Sequence, residues 1–332
     1  MRLFMDLHIG GARHALLISD HVIRYARLNG RSANQVVRVE ERYLPRGVFS
    51  QGEVKEVDTL LTVLQECVEA WKLKGRKVFF SIPDSLSIVR KHTVPLTVDD
   101  DDIRGHLYMQ LGDQLHLPME HPVFDWHEIS RTEEEREILL FAAPENAVTT
   151  LARLLREVRV KPAAADLSPL ALYRLYNERN SGELEQEKLI LQLAPTYVHA
   201  SIFSDDLPLI MRTILLDLPE DKWTYPSESG GENDLAWGGT DEEIKRSWRY
   251  VIDELGKLLN YYQYTYQQDG EPVSQIVLGG DHPYIKEFRK ELKEQLNLPC
   301  ALFAESDWES KQNQPITTKD YAAIGLALKK EV

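Results

Sequence analysis

Cysteine is scarce, with two in 332 residues. Cys67 and Cys300 stand in apolar surroundings without CxxC spacing, which excludes a disulfide framework and leaves a zinc site without support. Both read as buried, reduced thiols. No apolar run approaches the ~18 residues of a spanning helix, and Arg2, Asp6, His8 and Arg13 interrupt the stretch where a secretory signal would need an apolar core. These features point to a cytoplasmic chain that does not insert directly into a membrane. The C-terminal "AIGLALKKEV" is too short for an amphipathic membrane anchor. No GxSxG, HExxH or GxxxxGK[ST] occurs, so hydrolase, metalloprotease and P-loop readings have no foothold. Positive charge is outweighed, 39 Lys and Arg against 53 Asp and Glu for a net charge of −14. No Lys/Arg cluster of the kind that displaces counterions from phosphates stands out in the sequence, which argues against a nucleic-acid partner.

What is present is ordinary for a folded protein. Hydrophobic residues make up 43% and charged residues 28%, outside the disordered class, and the length suits two lobes better than one. The first lobe opens with "LFMDL" and "HALLIS" (from Leu3 and His14), so that Phe4 to Asp20 reads as a strand, a glycine-bearing turn and a second strand. Asn29-Gly30 then signals a hairpin. Val57, Leu60, Leu61, Leu64, Cys67, Val68 and Trp71 recur at helical spacing before Gly75, and "KVFFSIP" follows as a buried strand. From about Ser87 the pattern predicts a small α+β insertion: strand "SIVRKHTV", a helix begun by the acidic run Asp99 to Asp102, whose charge suits the positive end of the helix dipole, strands "VFDWHEI" and "EILLFAAP", and helix "AVTTLARLLREV". "DLSPLALYRLYNE", with Pro169 near a helix start, returns the chain to the first lobe.

The second half repeats the first. "LILQL" and "HASIFSD" match "LFMDL" and "HALLISD", pairing His14-Ala15 and Ser19-Asp20 with His199-Ala200 and Ser204-Asp205, and the strand, strand, strand, helix, strand order recurs around them. Its helix runs from about Asp241 to Gln268. Asp217 to Thr240, rich in Pro, Gly, Ser and acids, reads as a long mobile loop. The predicted division is 1–86 and 161–186 for the first lobe, 87–160 for the insertion, 187–312 for the second lobe with the loop at about 217–240, and 313–332 for a C-terminal helix returning to the first lobe.

Two constellations have bland explanations. His116, His121, Asp125 and His127 match no zinc spacing, and strand alternation puts Asp125 and His127 on one polar face. Trp248, Tyr250, Tyr261, Tyr262, Tyr264 and Tyr266 lie on the long helix, where Ile244, Val251, Ile252, Leu255, Leu258 and Leu259 already define a buried face with Tyr262 and Tyr266.

Two facing βββαβ units have the plan of actin-like ATPases, a ribonuclease H-like duplicated βββαβα fold. The segment "SIPDSLSIVRKHTVPLTVDDDDIRGHLYMQLGDQLHLPMEHPVFDWHEI", together with "LPRGVFSQGEV" at Leu44 to Val54, "VLGG" at Val277 to Gly280 and "AIGLALK" at Ala323 to Lys329, resembles the PilM proteins of type IV pilus assembly. The match runs in order over nearly the whole chain. The resemblance implies a two-lobed actin-like fold with a subdomain inserted into the first lobe, as in the division protein FtsA. It also implies a peripheral position on the cytoplasmic face of the inner membrane, held by the N-terminal cytoplasmic tail of a PilN-like single-pass protein, with other pilus assembly proteins and self-association as further contacts. An extended tail held by backbone hydrogen bonds and a few apolar pockets fits known peptide-capture modes.

In actin-like ATPases the first phosphate hairpin reads Asp-x-Gly, the Asp organising Mg²⁺ and the glycine admitting backbone N–H groups to the phosphates. The resemblance assigns that Asp to Asp6, with His8 at the glycine position and Gly10 and Gly11 after it. Asp6 reads first as a polar strand end, then as a residual Mg²⁺ or phosphate ligand, and last as a peptide or interface residue. The second hairpin holds Gln192-Leu193-Ala194 and then Pro195, and a glutamine cannot supply the charge that organises Mg²⁺. Gly279 and Gly280 mark either a strand-to-helix turn or an adenosine contact. The expectation is a degenerate nucleotide cleft at Asp6, Gly10, Gly11, Gly279 and Gly280 with no catalytic or metal-ligating residue, requiring neither ATP nor Mg. The alternative is a working actin-like ATPase whose nucleotide state regulates pilus assembly.

Overall fold

A computed structural model describes residues 11–180, 187–226, 235–266, 272–303 and 308–330. In the first lobe, β1 (Ala12–Ile18), β2 (Val22–Asn29) and β3 (Val36–Tyr43) form an antiparallel meander. A short ribbon of β4 (Phe49–Ser50) and β5 (Glu53–Val54) leads to α1 (Val57–Ala70) and β6 (Lys77–Ser81). The insertion follows as β7 (Ile88–Pro95), α2 (Ile103–Met109), β8 (Pro122–Arg131) and β9 (Glu135–Pro144), three antiparallel strands with β9 central. Asp100–Asp102 forms the 3-10 turn that enters α2. Then come α3 (Glu145–Glu157), β10 (Lys161–Asp166) and α4 (Ser168–Arg179). The first sheet runs β10-β6-β1-β2-β3.

The second lobe has β11 (Lys188–Leu193), β12 (Tyr197–Ser204) and β13 (Leu207–Leu215), a two-strand ribbon of β14 (Trp223–Thr224) and β15 (Ala236–Trp237), α5 (Asp241–Tyr266), β16 (Gln275–Gly280), α6 (Ile285–Leu296) and β17 (Cys300–Leu302). Its sheet runs β13-β12-β11-β16-β17. Finally α7 (Tyr321–Ala327) packs on α4 and on β1 and β2 of the first lobe.

Burial explains this arrangement. Ala15 and Leu17 of β1 face a core shared with α4, α7, Ile190 and Val277, while Leu16 and Ile18 face α1 and α3. Buried on both sides, the strand reads as an unbroken apolar run rather than an alternation. The shared core joins the two lobes: α4 and α7 sit between the sheets, and Tyr173 stacks on Phe203 of β12 with ring centroids 3.8 Å apart. The insertion has a small core of its own around Val94, Leu107, Phe124 and Ile138.

Several sequence expectations change. The strand predicted at "LFMDL" lies outside the described residues, and "HALLIS" supplies the first strand of the described sheet, not the second. The two halves therefore superpose differently from their sequence match, because β1 and β11 occupy the same central place, each antiparallel to the next strand and parallel to β6 or β16. His14 and His199, on first and second strands respectively, are not counterparts. Asn29-Gly30 does not make a two-residue hairpin, since a 3-10 turn at Ala33–Gln35 extends the connection. Helix α3, assigned by pattern to the insertion, packs Leu151, Leu154 and Leu155 into the α1 core of the first lobe. The loop expected between 217 and 240 is anchored where it is described: Trp223 is fully buried against Trp237, and the Arg46 guanidinium donates to the Trp223 carbonyl. Residues 227–234 lie outside the described residues.

The α4–α7 crossing demands a glycine. A Cβ on Gly325 would lie 1.9 Å from the Ala171 carbonyl oxygen, so Gly325→Ala must force the helices apart. The expected cost is about 1–3 kcal/mol, read as a lower urea midpoint, whereas Gly256→Ala, whose Cβ meets nothing nearer than 3.9 Å, should be neutral or stabilising.

Candidate functional site

The two tight turns that end β1 and β11 face each other across the cleft between the lobes. They share a hydrogen bond: Ser19 N–H donates to the Val22 carbonyl at 3.0 Å, and Ala194 N–H to the Tyr197 carbonyl at 2.9 Å. The turns therefore align residue by residue, and Leu17-Ile18-Ser19 is the counterpart of Gln192-Leu193-Ala194. At the place where an actin-like ATPase carries its two aspartates, this chain has leucine and glutamine.

Of the residues picked from the sequence, Asp6 and Gly10 lie outside the described residues. Gly11 precedes β1, at the opposite end of that strand from the Ser19 turn, so it does not line the cleft. Gly279 and Gly280 end β16 beside β11, and Gly280 lines the cleft. Gly280 has φ +122, and a Cβ there would lie 2.1 Å from the Leu193 carbonyl oxygen, so a close backbone approach accounts for this glycine. A Cβ on Gly279 would meet only ordinary contacts.

The cleft is filled by charge pairs that sequence reading missed. Asp281, just past β16, accepts from His21 Nε2 and from Arg24 Nη2, both at 2.6 Å, so a second-lobe carboxylate meets two first-lobe side chains. These three side chains are only 5–6% exposed. Arg24 also reaches Glu41 at 3.3 Å, and Lys319 Nζ meets the other Glu41 oxygen at 2.5 Å. Burial alone would raise the Asp281 carboxyl, but His21 and Arg24 beside it hold it well below the usual carboxylate range. Tyr43 and Tyr225 close over His21, with ring centroids 6.3 and 6.1 Å away.

Deeper in the cleft a second set joins the lobes. Asp84 Oδ1 accepts from Ser168 N–H at 2.8 Å, its Oδ2 lies 2.5 Å from Ser168 Oγ, and Ser168 Oγ lies 2.6 Å from Gln192 Oε1. His199 Nε2 stands 3.4 Å from Asp84, and its Nδ1 lies 2.8 Å from Thr213 Oγ1. Burial raises the Asp84 carboxyl to about 7, opposed by its bonds from Ser168, and burial lowers His199 to about 3. When ionised, Asp84 accepts from Ser168 Oγ; when protonated, its O–H can donate to Ser168 Oγ and leave that hydroxyl to donate to Gln192.

The space between His21, Arg24, Ser168, Gln192 and Asp281 is about 30 Å³, and a recess beside Asp84, His199 and Thr213 is about 200 Å³, both below the ~300 Å³ or more of a ligand pocket. Every cleft carboxylate named here is already bonded within the protein. The residues present do not fit a magnesium nucleotide in this closed arrangement. A groove of about 950 Å³ lies instead between the first lobe and the insertion, walled by Val54, Val57, Leu86, Met119, Thr150 and Arg153 among others. Among the described residues no group of three or more His, Cys, Asp or Glu could hold a metal ion, and no helix is long and apolar enough to cross a membrane.

Comparison with known proteins gives the fold and the family. The family model described as type IV pilus assembly protein PilM matches residues 16–212, more than half of the chain. No curated protein sequence matches. Among solved structures, the "PilM-PilN type IV pilus biogenesis complex" is similar with a TM-score of 0.71 at 18% identity, covering 96% of this chain and 97% of that one. The ethanolamine utilization protein EutJ from Carboxydothermus hydrogenoformans gives 0.50 at 10% identity over 96% and 89%. MreB 5 of Spiroplasma citri bound to AMPPNP gives 0.50 at 11% over 95% and 94%. The fold is the two-lobed actin-like α/β fold.

Two measurements test the cleft. Asp281→Ala leaves the buried Arg24 guanidinium without its closest partner and should lower stability by about 3–5 kcal/mol in urea denaturation. Asp84 binds its proton more tightly folded, near 7, than at its ordinary 3.8, so its contribution is complete below the lower value and is lost as pH rises through the upper one. Asp84→Asn, which keeps a donor toward Ser168 Oγ without the charge, should flatten that decline; a pH profile unchanged from wild type would show that Asp84 is not its source.

Proposed function

The chain belongs to the PilM family of type IV pilus assembly proteins, and on that premise we propose that it is a scaffold that does not hydrolyse ATP. It captures the N-terminal cytoplasmic tail of a PilN-like single-pass membrane protein, and that partner holds it peripherally on the cytoplasmic face of the inner membrane. One observation carries this reading: the interlobe cleft is filled by the Asp281–Arg24–His21 contacts while the large groove stands open beside the insertion. Apolar Val54, Val57, Leu86 and Met119 offer pockets for side chains, and Thr150 and Arg153 on α3 offer polar contacts to a backbone, the mixture that holds an extended peptide. A solved relative of the same fold is named as a PilM–PilN complex, which supports a tail of that kind as occupant. The cleft glycine Gly280 then serves the fold, keeping β16 close to β11, and Asp6, Gly10 and Gly279 have no catalytic part to play.

Calorimetric titration of the full chain with the N-terminal tail peptide of a PilN-like protein, and separately with MgATP, tests the proposal. The peptide should bind, and Met119→Glu with Thr150→Arg should weaken it by roughly tenfold or more, since charges would then be desolvated against the peptide. MgATP should give no heat of binding. Tight MgATP binding, together with a silent peptide titration, would overturn the scaffold reading in favour of a nucleotide-regulated one.

A further inference from the structure

Beyond its groove the first lobe carries a strongly basic face, although the chain as a whole is acidic. Lys72, Lys74, Arg76 and Lys77 fall within six residues without an acid between them, linking α1 to β6. Arg153, Arg156, Arg159 and Lys161 fall at the end of α3 and the start of β10, with Glu157 among them. All eight side chains are exposed. The fold zips the two segments together: Gly75 N–H donates to the Arg159 carbonyl at 2.7 Å, Lys161 N–H to the Arg76 carbonyl at 2.8 Å, and Lys161 lies beside Lys77 in the parallel β10–β6 pair. Lys74, Arg156, Arg159 and Lys161 border a broad recess of about 610 Å³. Of the eight, Arg153 alone is ion-paired among the described residues, with Glu157 at 3.5 Å; Glu69 on α1 is the other acid close in sequence.

We infer that this face docks on the anionic phospholipid headgroups of a bilayer. Three observations carry the inference. First, α1 and α3 end alike, with Lys72 at φ 58 and Arg159 at φ 62, the left-handed position where glycine is free of strain and a side chain is not. The bonds Leu73 N–H to Val68 O at 3.0 Å and Val160 N–H to Leu155 O at 2.8 Å close both ends in the same way. Long cations thus stand at the two places where local stability favours glycine. Attraction to the helix dipoles reaches only the last turn and leaves Lys74, Arg76, Lys77 and Lys161 unexplained. Second, the chain as a whole carries −14, so an anionic surface repels the molecule on average and favours approach through this basic face. Third, α3 joins the face to the groove: Thr150 and Arg153 line the groove, and Arg156 and Arg159 follow one and two turns on. A tail held in the groove and anchored in a membrane would leave the basic face next to the bilayer. Preference for lipid over an acidic protein rests on the tail-capture reading above.

Co-sedimentation of the full chain with vesicles of phosphatidylcholine alone, and of equal parts phosphatidylcholine and phosphatidylglycerol, tests the inference. Binding is expected only to the mixed vesicles and should fade as salt shortens the reach of the charges. Lys72→Gly with Arg159→Gly should raise the melting temperature by relieving both backbones and still weaken vesicle binding by roughly tenfold or more, at about fivefold per cation. Lys74→Glu with Arg156→Glu should abolish it. Both variants should bind the tail peptide as wild type does. Wild type that ignores mixed vesicles, or variants that bind them unchanged, would overturn the lipid assignment; in the first case an acidic protein is the partner the face fits. Vesicle binding without peptide binding would sink the tail reading and leave this one standing.

Discussion

The contact between Arg24 and Asp281 joins residues 257 positions apart at 2.6 Å, in a place from which solvent is nearly excluded. A charge so placed is stable only while its partner stays, so the two lobes cannot separate at this point without exposing or stranding both groups. His21 and the Glu41–Lys319 pair extend the contact, and Tyr43 and Tyr225 roof it. The position of β2 relative to β16, and with it the spacing of the two sheets, follows from this one pairing together with the α4–α7 layer between them.

That constraint redirects the fold's chemistry. A phosphate site needs open backbone donors and carboxylates free to organise a cation; here Leu17 and Gln192 stand where carboxylates would, and Asp84 and Asp281 are bonded to Ser168, Arg24 and His21. A cleft closed from within has little left to offer a ligand. The groove beside the insertion and the basic face beyond it share a single helix, α3, whose N-terminal half walls the one and whose C-terminal end builds the other. On the proposed reading, a partner is held on the outside of the first lobe, without any movement of the cleft.

Much of the architecture is legible in the residue pattern, because helical and strand periodicity are local. The faces of α1 and α5, the strands of the insertion, the acidic entry to α2 and the strand, strand, strand, helix, strand repeat can all be read from spacing. The misreadings have physical causes. The central strand of the first lobe, "ARHALLI", is buried on both faces and so does not alternate, which is why its place in the sheet is not read from spacing. Helix α3 was grouped with its neighbours in sequence, but its leucines pack on α1. The acidic, proline-rich loop hid Trp223 and Trp237, two core residues in a polar frame.

The site divides along the same line. From the order of residues alone come the two-lobed actin-like class, the family resemblance and the missing charge at Gln192, since each depends on neighbours along the chain. Through-space folding supplies the rest: the pairing of Leu17 with Gln192, the Arg24–Asp281 contact, the Asp84–Ser168–Gln192 chain, and a basic face assembled from residues 72–77 and 153–161, which become one surface only when β6 and β10 lie side by side. Charge and hydrogen bonding act over a few ångströms of space whatever the separation in sequence, so such sites exist only once the sheets and helices have brought their members within reach.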